Sequence, residues 1–190
     1  MKNWLAGVVL LWCGAIAGAV EVNGVQVPDT VKLGGADLVL NGAGLRTRAV
    51  FKVYVGALYM TDKKTAAADA LNQKGPKRVA LFMLRDLSAD QLSGALSDGL
   101  NDNLSDAERE KFKPQIEELK ATMEAVGAAK EKSIVTLDFA PDTGLRIALN
   151  GAPRGKPIAG EDFYRALLKI WLGDKPVDRA LKAGMLGTPQ

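Results

Sequence analysis

Residues 40–60, LNGAGLRTRAVFKVYVGALYM, decide how the rest of the chain is arranged. The stretch opens with Asn41, Gly42, Ala43 and Gly44, which read as a flexible segment, and adds two cations at Arg46 and Arg48. From Val50 to Met60 it becomes strongly β-prone. Apolar residues fall on both faces of that strand: Phe51, Val53, Val55, Ala57 and Tyr59 on one, Val50, Tyr54, Gly56, Leu58 and Met60 on the other. A strand buried on both faces reads this way, whereas a half-exposed one alternates. An arginine leading into it stays at the rim or meets an anion, because an unpaired buried charge costs several kcal/mol or more.

Outward from this strand, 190 residues with 47% hydrophobic and 25% charged side chains suit one globular domain. Residues 1–19 read as a signal peptide. Lys2 supplies a positive start, an apolar run follows from Trp4, and Ala17, Gly18 and Ala19 fit a cleavage site. The run ends before Glu21, short of the ~20 residues a spanning helix needs. Bulky Trp12 beside Cys13 argues against lipid attachment there. The domain is then 20–190 and the protein periplasmic or secreted, free of membrane once cleaved.

Cleavage removes Lys2 and Cys13, leaving 24 basic against 22 acidic residues and no cysteine. The chain has no histidine. Thiolate chemistry, Ser-His-Asp and Cys-His machinery and His-ligated zinc are therefore excluded. No metal or cofactor is expected. A near-neutral balance with 6% aromatics also argues against nucleic acid. Lys74, Lys77 and Arg78 around Gly75 and Pro76 read as a solvated loop.

Along the chain, residues 20–27 predict a small hairpin or bent strand across Asn23 and Gly24. Residues 37–40 form a strand running into the glycine segment, 66–71 a short helix and 79–84 a further core strand. Ser88 with Gln91, and Ser105 with Glu108, have capping-box spacing. Phe112, Ile116, Leu119, Met123 and Val126 mark an amphipathic helix, with Pro114 forcing a kink or restart. Residues 133–139 and 145–149 make a hairpin, and 151–160 a Gly/Pro-rich loop carrying Arg154 and Lys156. A helix runs from Glu161 to a stop at Gly173, and a last one covers 176–186. Asp138, Asp142, Glu161 and Asp162 sit at strand, turn or helix starts and do not read as catalytic. The order predicts an α+β fold, an antiparallel sheet with helices packed against it.

Three long segments carry a resemblance: residues 40–60, KRVALFMLRDLS at 77–88 and GEDFYRALLKIWLGDKPV at 160–177. Together, over about 20–187, they resemble the bacterial chalcone-isomerase-like family, which is similar to plant chalcone isomerases and their fatty-acid-binding relatives. The resemblance implies a large antiparallel sheet, a helical layer and a ligand cleft between them. The substrate-positioning arginine of the plant enzymes falls at Arg46. Their other polar site residues fall at Tyr54, Met83, Leu92, Gly99 and Ile170, which removes most of the atoms that hold a bicyclic phenol.

In the fatty-acid-binding relatives an arginine and a tyrosine hold a carboxylate, and those roles fall on Arg46 and Tyr54. Guanidinium and phenol are suitable donors for that anion. Met83, Leu92 and Ile170 would line an apolar slot for the acyl chain. Eight residues along one straight strand span ~26 Å, so the pair converges only if the chain turns back near 47–49. A surface ion pair for Arg46 and a core position for Tyr54 are the competing assignments. The resulting expectation is a non-catalytic binding protein for a fatty acid or similar small apolar carboxylate. The alternatives are an intramolecular lyase of chalcone-isomerase type and a protein-interaction module.

Overall fold

The computed structural model describes residues 18–188. The expected leader falls on residues 1–17, outside the described residues, apart from Gly18 and Ala19. Among the described residues no helix is long and apolar enough to cross a membrane.

The scaffold is a seven-stranded antiparallel sheet in chain order. Its strands are β3 (Thr30–Leu33), β4 (Ala36–Arg48), β5 (Phe51–Met60), β6 (Lys77–Met83), β7 (Ile134–Ala140), β8 (Gly144–Leu149) and β9 (Ala152–Ile158). A separate hairpin, β1 (Ala19–Val22) and β2 (Val25–Pro28), turns at Asn23 and Gly24, both at positive φ as such two-residue turns require. The helices are α1 (Ala67–Asn72), α2 (Ala89–Asn103), α3 (Asp106–Lys111), α4 (Lys113–Val126), α5 (Glu161–Leu172) and α6 (Arg179–Met185). The α+β class and the antiparallel sheet with its helical layer stand as expected.

The sheet separates two cores. On the helical face, Tyr54, Leu58 and Met60 of β5 pack with Leu96, Leu119, Phe163 and Leu167. On the other face, Val55, Ala57 and Tyr59 pack with Val27, Leu38 and Leu40 under the β1–β2 hairpin, and the Tyr59 hydroxyl donates to the Pro28 carbonyl at 2.9 Å. Strand β5 is thus buried on both faces from Val53 to Met60. Both capping boxes form, at Ser88 with Gln91 and at Ser105 with Glu108. Pro114 divides the expected helix: α3 ends at Lys111, and α4 restarts with proline in its first turn, where the missing N–H costs nothing.

Four local expectations are corrected. Asn41 to Gly44 is not a flexible segment but part of β4, because its glycines admit a helix rather than supply mobility. A Cβ on Gly42 would lie 2.2 Å from the Gly184 carbonyl oxygen, and one on Gly184 would lie 2.6 Å from that of Ala43. Helix α6 lies flush on the sheet there. Residues 152–158 form β9 instead of a loop, since β9 is an edge strand, paired along one side only, and edge strands tolerate proline.

The basic cluster is not a solvated loop. Lys77 is 1% exposed, donating to the carbonyls of Gln73 (2.6 Å) and Gly75 (2.9 Å) beside Glu161. Arg78 pairs with Asp138 through two bonds of 2.5 and 2.6 Å, and only Lys74 stays largely exposed. Finally, Val50 and Phe51 are not buried, because β6 stops pairing with β5 at Tyr54 and leaves the hairpin end without a third strand.

Candidate functional site

The β4–β5 hairpin creates the site through two register shifts. Asn41 is the extra residue on β4, between the pairs Leu40–Tyr59 and Gly42–Leu58. Its amide is fixed by donation to the carbonyls of Lys64 (3.0 Å) and Met185 (2.7 Å) and by acceptance from the Lys64 N–H (2.6 Å). From there Gly42, Gly44 and Arg46 follow one another at every second position, opposite Leu58, Gly56 and Tyr54. That row faces the helices. Arg46 and Tyr54 are therefore direct cross-strand partners, closer than the half-offset the sequence required. The turn falls at Ala49 and Val50, between the pair Arg48–Phe51.

The second shift makes Val53 the extra residue, between the pairs Arg46–Tyr54 and Thr47–Lys52. A bulge of this kind directs two consecutive side chains to one side. Val53 and Tyr54 both pack into the helical-face core.

Between this part of the sheet and the helices lies a cavity of about 310 Å³, at the lower end of the ~300–1,000 Å³ common for small-molecule sites. Its floor is Val53, Tyr54, Leu81, Val135 and Leu137; its roof is Leu92, Ala95 and Leu96 of α2, Met123 of α4, and Ile170 and Trp171 of α5. Arg46, Arg48, Phe51, Arg85, Leu87 and Gln91 complete the lining. Arg46, Tyr54, Leu92 and Ile170 thus meet around one space. Met83 is buried opposite Tyr54 on β6 but does not line the cavity, because strand pairing fixes it deeper in the core. Ile170 is pressed against α2 at Gly99, where a Cβ would lie 2.8 Å from its Cγ2. Arg154 does not line the cavity.

The electrostatics of this space are uneven. The Arg46 guanidinium carbon lies 5.4 Å from the Tyr54 ring centroid. Its Nε is buried and has no hydrogen-bond partner, and among the described residues Arg46 has no ion pair. Arg46 is thus not a surface ion pair, and although its guanidinium hydrogen-bonds the Tyr54 hydroxyl, its Nε is left open. Buried polar atoms are nearly always bonded, so one left open in a cavity is a place for a ligand atom or water.

The Tyr54 hydroxyl accepts from Trp171 Nε1 at 3.0 Å. Its own proton has no acceptor among the described residues and can be donated into the cavity. Burial pushes the phenol above its ordinary pKa, outweighing the Arg46 charge and the hydrogen bonds from Trp171 and Arg46 that draw it down. Tyr54 is therefore a neutral donor at physiological pH, not a base.

Trp171 was placed by sequence only on an apolar helix face. The signal available was that a buried indole N–H needs an acceptor. Arg85 reaches the mouth from the β6–α2 connection with its guanidinium carbon 4.7 Å from the Phe51 ring centroid, and no sequence pattern announced it. Among the described residues no group of three or more cysteine, aspartate or glutamate side chains converges as a metal site.

No functionally curated protein matches the chain. In three dimensions the protein is similar to the crystal structure of an Arabidopsis thaliana fatty-acid binding protein, AtFAP1, with a TM-score of 0.64 at 14% sequence identity. The alignment covers 86% of this chain and 92% of that one, and at this identity the likeness is one of fold. The sequence itself matches the chalcone isomerase-like family over residues 19–187, from the first strand to just beyond α6, and the protein belongs to that family.

Proposed function

We propose that this domain is an exported, non-catalytic binding protein for a fatty acid or a similar small apolar carboxylate. The observation that carries the reading is the buried, unpartnered Nε of Arg46 beside the free donor of Tyr54, at one end of a cavity that is otherwise mostly apolar. The fold shared with a fatty-acid binding protein supports it. A carboxylate on Arg46 and Tyr54 gains charge-assisted hydrogen bonds of about 1.5–3 kcal/mol. The acyl chain adds ~0.8 kcal/mol for each buried methylene. Chain length therefore sets affinity until the cavity is full, and the arginine sets the preference for an acid. Ring closure of a chalcone is the weaker reading, since it needs a correctly held phenoxide beside the alkene and the polar residues that would hold it are Leu92, Gly99 and Ile170 here.

Titration calorimetry with a chain-length series of acids and their alcohols tests the reading. Arg46→Ala should weaken an acid about tenfold and leave the matching alcohol much less affected; Tyr54→Phe should do the same more mildly. Equal weakening of acid and alcohol by Arg46→Ala would make the arginine structural and sink the proposal. Export is tested separately by intact mass of the protein recovered from outside the cytoplasm. The chain should begin near Val20 and lack the Cys13 thiol, and a mass that retains Cys13 rules out the cleavage.

A further inference from the structure

The tip of the β4–β5 hairpin projects beyond the sheet. Strand β3 pairs only with residues 36–39 of β4, and β6 pairs with β5 no further than Tyr54. Two-residue hairpin turns usually carry Asn, Asp or Gly, which suit solvent and positive φ. This one carries Ala49, held at φ 52, and Val50. Val50 is 87% exposed and Phe51 56%. Three exposed cations surround them: Arg48, Lys52 and Arg85, the last lying over the Phe51 ring. None of the three has an ion-pair partner among the described residues. Asp86, the acid nearest in sequence, is already engaged by Lys130 at 2.9 Å and the Glu131 N–H at 2.8 Å.

We propose that this tip docks the protein on an anionic phospholipid bilayer. Val50 and Phe51 enter the boundary of the acyl chains while Arg48, Lys52 and Arg85 lie among the head groups. An apolar insertion combined with a basic cluster is the pairing that gives reversible surface attachment, and each cation near an anionic surface contributes roughly fivefold to binding. A protein partner fits less well. Two exposed apolar side chains at a turn fall far short of the ~800 Å² per partner of a stable interface. The sequence alone points to no membrane contact once the leader is cleaved, and it assigns Val50 and Phe51 to a strand buried on both faces. Arg48, Ala49, Phe51 and Arg85 also line the cavity mouth. Docking therefore sets that mouth on the lipid surface, and an apolar acid passes between bilayer and cavity without crossing water. This last consequence rests on the binding reading above; the docking itself does not.

Co-sedimentation with vesicles tests the docking, using residues 18–188, which contain both cores and omit the apolar leader that would partition on its own. Vesicles of phosphatidylcholine with roughly one-third phosphatidylglycerol should bind the protein at least tenfold more tightly than phosphatidylcholine alone, and high salt should erase the difference. Val50→Asn suits the turn and should weaken vesicle binding about tenfold, with acid affinity in solution unchanged. Arg46→Ala should bind vesicles as the wild type does even where acid binding is lost, so failure of one proposal is distinguishable from failure of the other. Absence of binding to both vesicles, or equal binding of wild type and Val50→Asn, overturns the docking. A concentration-dependent dimer that Val50→Asn abolishes, without vesicle binding, also overturns it and reassigns the tip to a second copy of the chain.

Discussion

The two halves of the β4–β5 hairpin are built from the same pair of strands and face the same helical layer, yet one is closed and the other open. In the closed half, Gly42 and Gly44 lie opposite Leu58 and Gly56, and α6 seats its backbone on the glycines. In the open half the next residue in the row is Arg46 opposite Tyr54. Two large polar side chains take the place of the glycines there and line a cavity, with Trp171 of α5 bonded to the Tyr54 oxygen. Residue size along one row of a strand thus decides where the layers touch and where a ligand can enter. Packing stabilises the first half, while the second carries an unsatisfied guanidinium Nε, a cost that binding can repay.

The largest effect should come from forcing the closed half apart. A Cβ at Gly184 would press on the Ala43 carbonyl and, at 2.7 Å, on the Gly44 Cα, neither of which can move aside cheaply. Gly184→Val should cost about 3 kcal/mol, read as a lower denaturation midpoint at unchanged slope. Comparable bulk at Ala95, on the cavity roof, should cost less than about 1 kcal/mol because space exists there. Equal costs at the two sites would erase the contrast.

A smaller effect of opposite sign is expected in the open half. Arg46→Met removes the buried orphan Nε and keeps an unbranched stem, so the ligand-free protein should gain about 1 kcal/mol. The same substitution should abolish the preference for acid over alcohol. A loss of stability instead would mean that the contact with the Tyr54 ring outweighs the unsatisfied donor.

The smallest effect concerns the junction between the halves. Asp178 caps α6 by accepting from the Leu181 N–H at 3.0 Å, and it also accepts from the Thr47 N–H (3.0 Å) and hydroxyl (3.2 Å) on β4. Burial alone would raise its pKa, but these donors outweigh it and hold the carboxyl below the ordinary value. A group depressed in the folded state contributes stability above the unfolded pKa of ~3.9 and loses it as pH falls through the folded value. Wild type should therefore exceed Asp178→Asn in stability at pH 7 by up to about 1 kcal/mol, and the two should converge below pH ~4. A difference that persists in strong acid would show that charge is not the cause.

Much of this is legible in the sequence. Ser88 with Gln91 and Ser105 with Glu108 announced their helices because a capping box is satisfied within four residues. Pro114 announced a restart, and Asn23 with Gly24 a turn, for equally local reasons. Arg46 and Tyr54 were readable as a conditional pair, awaiting a turn between them. Other features were not readable. Residues 152–158 look like a loop until a neighbouring strand supplies their ladder bonds. Lys77 looks solvated until Gln73, Gly75 and Glu161 close around its ammonium.

The sequence by itself determined the α+β class, the helix starts and the absence of histidine chemistry, and it singled out Arg46 and Tyr54, which line the cavity. Only the tertiary structure decided that Asn41 and Val53 are register-shifting residues, that the glycines are a seat for α6, that Trp171 holds the Tyr54 oxygen, and that Val50 and Phe51 stand in solvent. The physical reason is one of range. Caps, turns and breakers are settled by groups a few residues apart, whereas register, close approach and exposure depend on where neighbouring strands end and which backbone arrives from far along the chain.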